Sequence, residues 1–292
     1  MRVVSGHASG QIRTMRNWIY IIIFIASCSK TTNEDSKELT TDNFFPFDKE
    51  SFDWTKIEAP IDNKEKLKFG EGRPWLTSMH GDTYLSDTHA IDINDDGRLD
   101  LIYSGPGPVT YYTIVSLGNG GDDFSFEGYI VDLQIKNKKV TKLYLVSIVA
   151  TGAPPVDRQT IVEISYKDNQ PIFKTIFKNE TIGGTQFPKQ RTSYEIETFA
   201  DTLIARDAPV ELDAPYDYVI EIEGNRLGLL TKGTKARVIG EQTDSLKQLW
   251  LCALIYPNHK IIKYPYMNMK FDSTDGTTRM VWIRDKGLKK TD

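Results

Sequence analysis

The sequence predicts an all-β, β-dominated chain, and three observations carry that prediction. Polar and apolar residues alternate with period two through "RTSYEIETFA" (191–200), the pattern of a strand with one buried face. β-branched and aromatic residues crowd "YYTIVSLG" (111–118), "KKVTKLYLVSIVATG" (138–152), "QTIVEISY" (159–166) and "PIFKTIFK" (171–178). Turn residues separate these runs: "GPGP" (105–108), "GNGGDD" (118–123), "KDNQP" (167–171) and "TIGGT" (181–185). No long amphipathic helix is expected, only a short one near "SFDWTKIEA" (51–59) or between Asp244 and Leu249.

The first 43 residues read as targeting sequence and tether. Arg16 precedes an apolar run from Trp18 to Ile25 and then small residues, the layout of a secretory signal. That run is too short to span a bilayer. Ile25-Ala26-Ser27-Cys28 resembles the bacterial lipobox, a resemblance that implies cleavage after residue 27 and acylation of Cys28. Residues 1–14 lack apolar patterning, so Met15 is the better start than Met1. Residues 28–43 are expected to be the lipidated cysteine and a flexible polar tether, "SKTTNEDSKELTTDN". Removing residues 1–27 leaves 265 of 292 and takes away Arg2, Arg13 and Arg16, so the net charge moves from −4 to −7. Such a balance gives no bulk attraction for nucleic acid or anionic lipid. Membrane contact is therefore assigned to the acyl group on Cys28, in a bacterial cell envelope, with the outer membrane as the expected location. Cys252 is the only other cysteine, so no intramolecular disulfide is expected.

Within the first β domain, 44–200, one stretch carries chemistry. "DINDDGRLD" (92–100) packs four acids and an Asn into nine positions. Asp92, Asn94, Asp96 and Asp100 stand at relative positions 1, 3, 5 and 9, with Gly97 at 6 and the Arg98 carbonyl at 7. Hard oxygens at alternate positions around a glycine turn suit a calcium ion, whereas Mg²⁺ prefers fewer protein ligands. Asp95 is expected to point into solvent. The EF-hand reading fails, because position 12 is Tyr103 rather than Glu and "LDLIYSG" alternates like a strand. The stretch from Asp92 to Leu101 resembles the calcium loop of FG-GAP and VCBS-type repeats. That resemblance implies a structural Ca²⁺ between two strands. One copy is present, since neither "NGGDDF" nor "FDSTDGTT" repeats the spacing, so a full propeller is not expected. The alternative is a solvated acidic turn without an ion.

The second segment, 201–292, resembles a bacterial SH3-like barrel. The matching pieces are the strand Leu203–Arg206, "LTKGTKARVIG" (230–240), a strand at Trp250 and a closing strand at Trp282. Val281 stands where the family has Gly, and residues 256–278 form a long insertion. Lys232-Gly233-Thr234 is predicted as a tight turn, and Trp250 and Trp282 as side chains closing the small barrel core.

Catalytic signatures are absent from the sequence. There is no G-x-S-x-G, H-E-x-x-H or C-x-x-C, and beyond residue 27 only His80, His89 and His259. Cys252 sits in "LWLCALI" and reads as a buried core residue. His80, Asp82, Asp87 and His89 could gather around a transition metal, although polar loop residues of this kind are usually just solvated. Aromatics in "NFFPF", Trp54, Trp75 and the insertion could form a stacking surface for glycans or peptides, or simply cover sheet edges. The sequence is thus read as a non-enzymatic, calcium-stabilised binding or scaffolding lipoprotein for a glycan, peptidoglycan or protein ligand. Its rival is an envelope hydrolase whose catalytic residues no spacing singles out.

Overall fold

A computed structural model describes residues 45–150, 155–217, 219, 222–259, 261–262 and 276–291. The signal segment 1–27, Cys28 and the tether lie outside the described residues, as does most of the 256–278 insertion. The chain is β-dominated, as its alternation predicts. The exception comes first, where α1 (Asn63–Glu71) and α2 (Pro74–His80) are followed by a 3-10 turn at Gly81–Leu85. Asp62 caps α1, its carboxylate accepting the Lys64 N–H at 3.0 Å. Glu65 in the first turn, Lys68 in the last, and Pro74 at the start of α2 complete ordinary helix signals. A second 3-10 turn, Trp54–Lys56, falls where a short helix is expected. Between Asp244 and Leu249 there is a turn instead. Its cause is Asp244, whose carboxylate accepts from the N–H groups of Leu246 and Gln248 and from Trp250 Nε1.

A first sheet is antiparallel throughout, in the order β1 (Thr88–Ile91), β2 (Asp100–Pro106), β3 (Tyr111–Ser116) and β4 (Phe124–Glu127). Then come four longer strands, β5 (Tyr129–Lys136), β6 (Lys139–Ala150), β7 (Val156–Lys167) and β8 (Gln170–Ile182), each paired antiparallel with the next. Two-residue turns join them in pairs. Asn137-Lys138 and Asp168-Asn169 have φ values of 51–65°, the left-handed pairs that match the twist of a hairpin.

The remaining strands are β9 (Gln190–Thr198), β10 (Thr202–Arg206), β11 (Tyr216–Asp217), β12 (Ile222–Glu223), β13 (Arg226–Thr231) and β14 (Lys235–Thr243). They continue with β15 (Leu249–Ile255), β16 (Ile261–Ile262), β17 (Thr278–Arg284) and β18 (Leu288–Thr291). Their order is β11-β12-β13-β10-β17-β15-β14-β9-β18, with β16 on β13. A parallel pairing of β17 with β8 joins them to the long hairpins. Hydrogen bonds also cross position 200, because β9 pairs with both β14 and β18. The Lys232–Thr234 turn is present, with Gly233 at φ 82°, a conformation that costs other residues strain.

Two large hydrophobic cores stand out among the described residues, beside a smaller cluster of Phe69, Leu76, Tyr84, Tyr103 and Ile114. The first lies where β1–β4 meet the long hairpins, and includes Ile91, Ile93, Ile102, Val115, Ile130, Leu143, Leu145, Val162 and Ile164. The second includes Ile196, Ala205, Leu230, Val238, Leu251, Ala253, Ile255, Val281 and Ile283. The β7–β8 hairpin serves both, since Val156 and Ile182 at its far end belong to the second core. Trp250 and Trp282 are fully buried, but on the opposite face of β15 and β17 from Leu251, Ala253 and Val281. They do not close that core. Instead they seal the back of the sheet, each with its indole N–H bonded, to Asp244 and to the Gln186 carbonyl. Cys252 shares their face and is fully buried, and burial pushes its thiol well up.

Candidate metal centre

Between β1 and β2 the acidic loop rests on the tips of both long hairpins. Its hydrophobic peg is Ile93, fully buried in the first core. The Ile93 carbonyl accepts the Val140 N–H at 2.9 Å, and the Tyr166 hydroxyl lies 2.9 Å from it. Next in sequence, Asn94 is fully buried and its amide donates to the Asn169 carbonyl in the β7–β8 turn at 2.9 Å. Alternation thus sends Ile93 into the core and leaves the acids to organise the loop.

They do so by capping backbone N–H groups. Asp92 accepts from the amides of Asp96 (3.1 Å) and Gly97 (2.8 Å). Asp96 accepts from Arg98 N–H at 2.9 Å with one oxygen and from the Asn94 amide at 3.2 Å with the other. Gly97 takes φ 83°, the sharp turn expected of it, and Asp95 is exposed at φ 57°. Arg98 is exposed. Asp100, 1% exposed, turns inward and ties the two ends of the loop to the sheet: it accepts from Ile93 N–H and from Gly118 N–H, each at 2.8 Å. Burial raises its carboxyl above the usual range, the two amides oppose that, and the charges of Asp96 and Asp92 add to the rise.

The loop therefore brings Asp92, Asn94 and Asp96 into one hydrogen-bonded chain, with Asp100 behind them as a brace. Among the described residues no three His, Cys, Asp or Glu side chains converge as a ready metal group. The donor chemistry nevertheless fits a hard cation. Each carboxylate oxygen that accepts one amide keeps a second lone pair. Asn94 donates to Asp96 through its amide nitrogen, while its Oδ1 is buried without a hydrogen-bond partner, an arrangement that costs free energy unless something satisfies it. If a cation is bound there, Asp92, Asn94, Asp96, Asp100 and the Arg98 carbonyl are the groups that would hold it. It would supply charge neutralisation and no reaction step. Asn169, Tyr166 and Gly118 support the loop from afar in sequence, and the turns at 118–123 and 167–171 that hold two of them are readable in the sequence, whereas their contacts with the loop are not.

The other candidates are placed differently. His89 is buried, stacked on Trp54 with ring centroids 4.0 Å apart, and its Nδ1 lies 3.2 Å from Glu58. His80 ends α2 with its Nε2 buried and unpartnered, and burial raises the Asp87 carboxyl. Asp82 is exposed. Of the aromatics, Phe45 and Phe47 are buried rather than exposed, packing on Tyr144 and Phe187. Trp75 packs on Tyr103 and Tyr112. Among the described residues no helix is long and apolar enough to cross a membrane. Compared with known protein families, with characterised proteins and with solved structures, the chain finds no match.

Proposed function

We propose that the chain is an exported bacterial envelope lipoprotein, held at the membrane by acylated Cys28. Its β body would act as a calcium-stabilised binding or scaffolding module for a glycan, peptidoglycan or protein ligand. In this reading the acidic loop follows the FG-GAP/VCBS pattern and the strands beyond 200 follow the SH3-like one. The observation that supports the calcium part is the buried, unpartnered Oδ1 of Asn94 in a loop that also holds Asp92, Asp96 and Asp100. Calcium fits better than magnesium because the donors are many and oxygen-only, whereas magnesium keeps several waters and takes fewer protein ligands. Modules of this kind bind at roughly 10⁻⁴ to 10⁻³ M.

The test is the thermal midpoint of the full chain with calcium and with chelator. Binding to the folded form alone adds about 2.7 kcal/mol at 100-fold excess over Kd. Asp96→Ala abolishes that gain, whereas Asp95→Ala, at an exposed carboxylate, leaves it nearly intact. Equal losses in both variants would reduce the effect to bulk charge, and no response in the parent chain would leave only an acidic turn. For the anchor, Cys28→Ala releases the protein from membranes or stalls its processing.

A further inference from the structure

Away from the acidic loop, one end of the long hairpins exposes an acid ringed by apolar groups. Asp157 opens β7 directly opposite Ile148 of β6, and Tyr129 opens β5 opposite Val146. Val146 and Ile148 are two residues apart, so Tyr129, Ile148 and Asp157 rise from the same face. Tyr111 of β3 meets Tyr129 at a ring-centroid distance of 4.9 Å, tilted by 60°. The Thr110 hydroxyl donates to the Ile148 carbonyl at 2.8 Å, tying the β2–β3 turn to the same edge.

The Asp157 carboxylate is half-buried and has no hydrogen bond or ion pair among the described residues. Burial alone raises its carboxyl. Asp157 and Glu50 both lie close enough to act electrostatically on Tyr129. Nearby cations are engaged elsewhere: Arg158 faces the other side of the sheet with Glu127 and Glu180, and Lys49 pairs with Asp132. The spot is acidic, aromatic and apolar at once. A neutral sugar would leave that carboxylate charge uncompensated. An ammonium group would neutralise it, gain from the two tyrosine rings, and lay its methylenes along Ile148.

We propose that Tyr111, Tyr129, Ile148 and Asp157 form a recognition site for a lysine-type side chain, an ammonium on a short aliphatic stem. The site goes beyond the calcium reading and does not depend on it.

The test is calorimetric titration of the full chain with Nα-acetyl-lysine methylamide, run in chelator so that the outcome is independent of the acidic loop. Saturable binding is expected at about 1–10 mM. Asp157→Asn weakens it about tenfold or more while the thermal midpoint holds, and Tyr129→Leu weakens it while Tyr129→Phe, which keeps the ring, does not. The proposal is overturned by an absence of saturation, by Asp157→Asn binding like the parent, or by 1-butanol binding as well as butylammonium. Tighter binding of phosphoethanolamine than of the lysine probe would overturn the peptide reading in favour of a lipid headgroup.

Discussion

In the second core, β15 and β17 are buried on both faces, and their backbones are held by side chains that have nowhere else to go. Leu251, Ala253, Val281 and Ile283 fill one side, and Trp250, Cys252 and Trp282 fill the other. The acidic loop has a single apolar peg, Ile93, and most of its other fixed points are polar: carboxylates and the Asn94 amide on backbone groups, and the Val140 N–H and Tyr166 hydroxyl on the Ile93 carbonyl. Apolar burial is indifferent to ions and to modest changes of pH, whereas capped loops carry charge that must be balanced. The difference assigns the response to calcium to the loop and most of the bulk stability to the apolar layers of the second core.

The largest expected effect is in the second core. Trp282→Ala removes a fully buried indole and its bond to the Gln186 carbonyl, and should cost about 3–5 kcal/mol in denaturant unfolding. That loss should be the same with calcium and with chelator; a calcium-dependent loss would mean the two regions are not separate in this respect. Cys252 in the same layer should resist thiol reagents until the protein unfolds, and rapid labelling of the native chain would show the layer to be open.

Asp100→Ala comes next. It leaves two N–H groups, of Ile93 and Gly118, without their acceptor and should cost about 2–4 kcal/mol. Here the calcium response should also shrink. A matched pair of glycines sharpens the comparison at smaller scale. Gly97 and Gly233 both sit near φ 80° with open space where a Cβ would go, so alanine at either costs about 1 kcal/mol from backbone strain alone. Gly97→Ala should weaken the calcium shift, and Gly233→Ala should leave it unchanged. Differential scanning calorimetry of the two variants reads both quantities.

The strands were legible because period-two alternation and turn residues are local signals. Tyr194 to Thr198, the Lys232–Thr234 turn and the β7–β8 hairpin all fall where their residues predict. The two helices were not legible from periodicity. In α1 only Phe69 and Gly70 are buried, so no apolar stripe announces it, and the Asp62 cap and Pro74 are recognised as helix signals only once the helices are seen. The side of the sheet taken by Trp250 and Trp282 was hidden for another reason. A strand buried on both faces reads as a continuous apolar run, and nothing in it says which face meets which core. In the acidic loop the turn at Gly97 and the outward Asp95 were local and readable. The inward brace of Asp100 was not, because its partner Gly118 lies on the far side of β3.

The smallest expected effect uses pH to separate the same two regions. His89 lies in β1, just ahead of the loop, pressed flat on Trp54 at 4.0 Å with Glu58 3.2 Å from Nδ1. Burial lowers its pKa below 6.5, the Glu58 carboxylate opposes that shift, and Lys66, 3.6 Å from Glu58, adds to it. The folded state therefore binds the His89 proton less readily than the unfolded chain does. Stability from this group is complete above the unfolded value of 6.5 and is lost as pH falls through the lower folded value. His259 shifts in the same direction, so the parent curve alone does not isolate His89. The informative quantity is the difference between the parent and His89→Gln. Below pH 6.5 the parent should lose stability relative to the variant, by less than either core substitution costs. The buried members of the cluster around Leu251 carry no titratable group, and subtracting the variant removes the contribution of His259. A parent-minus-variant difference that stays flat from neutral to acid would mean that Glu58 balances burial at His89, and a difference that rises toward acid would mean that Glu58 outweighs it.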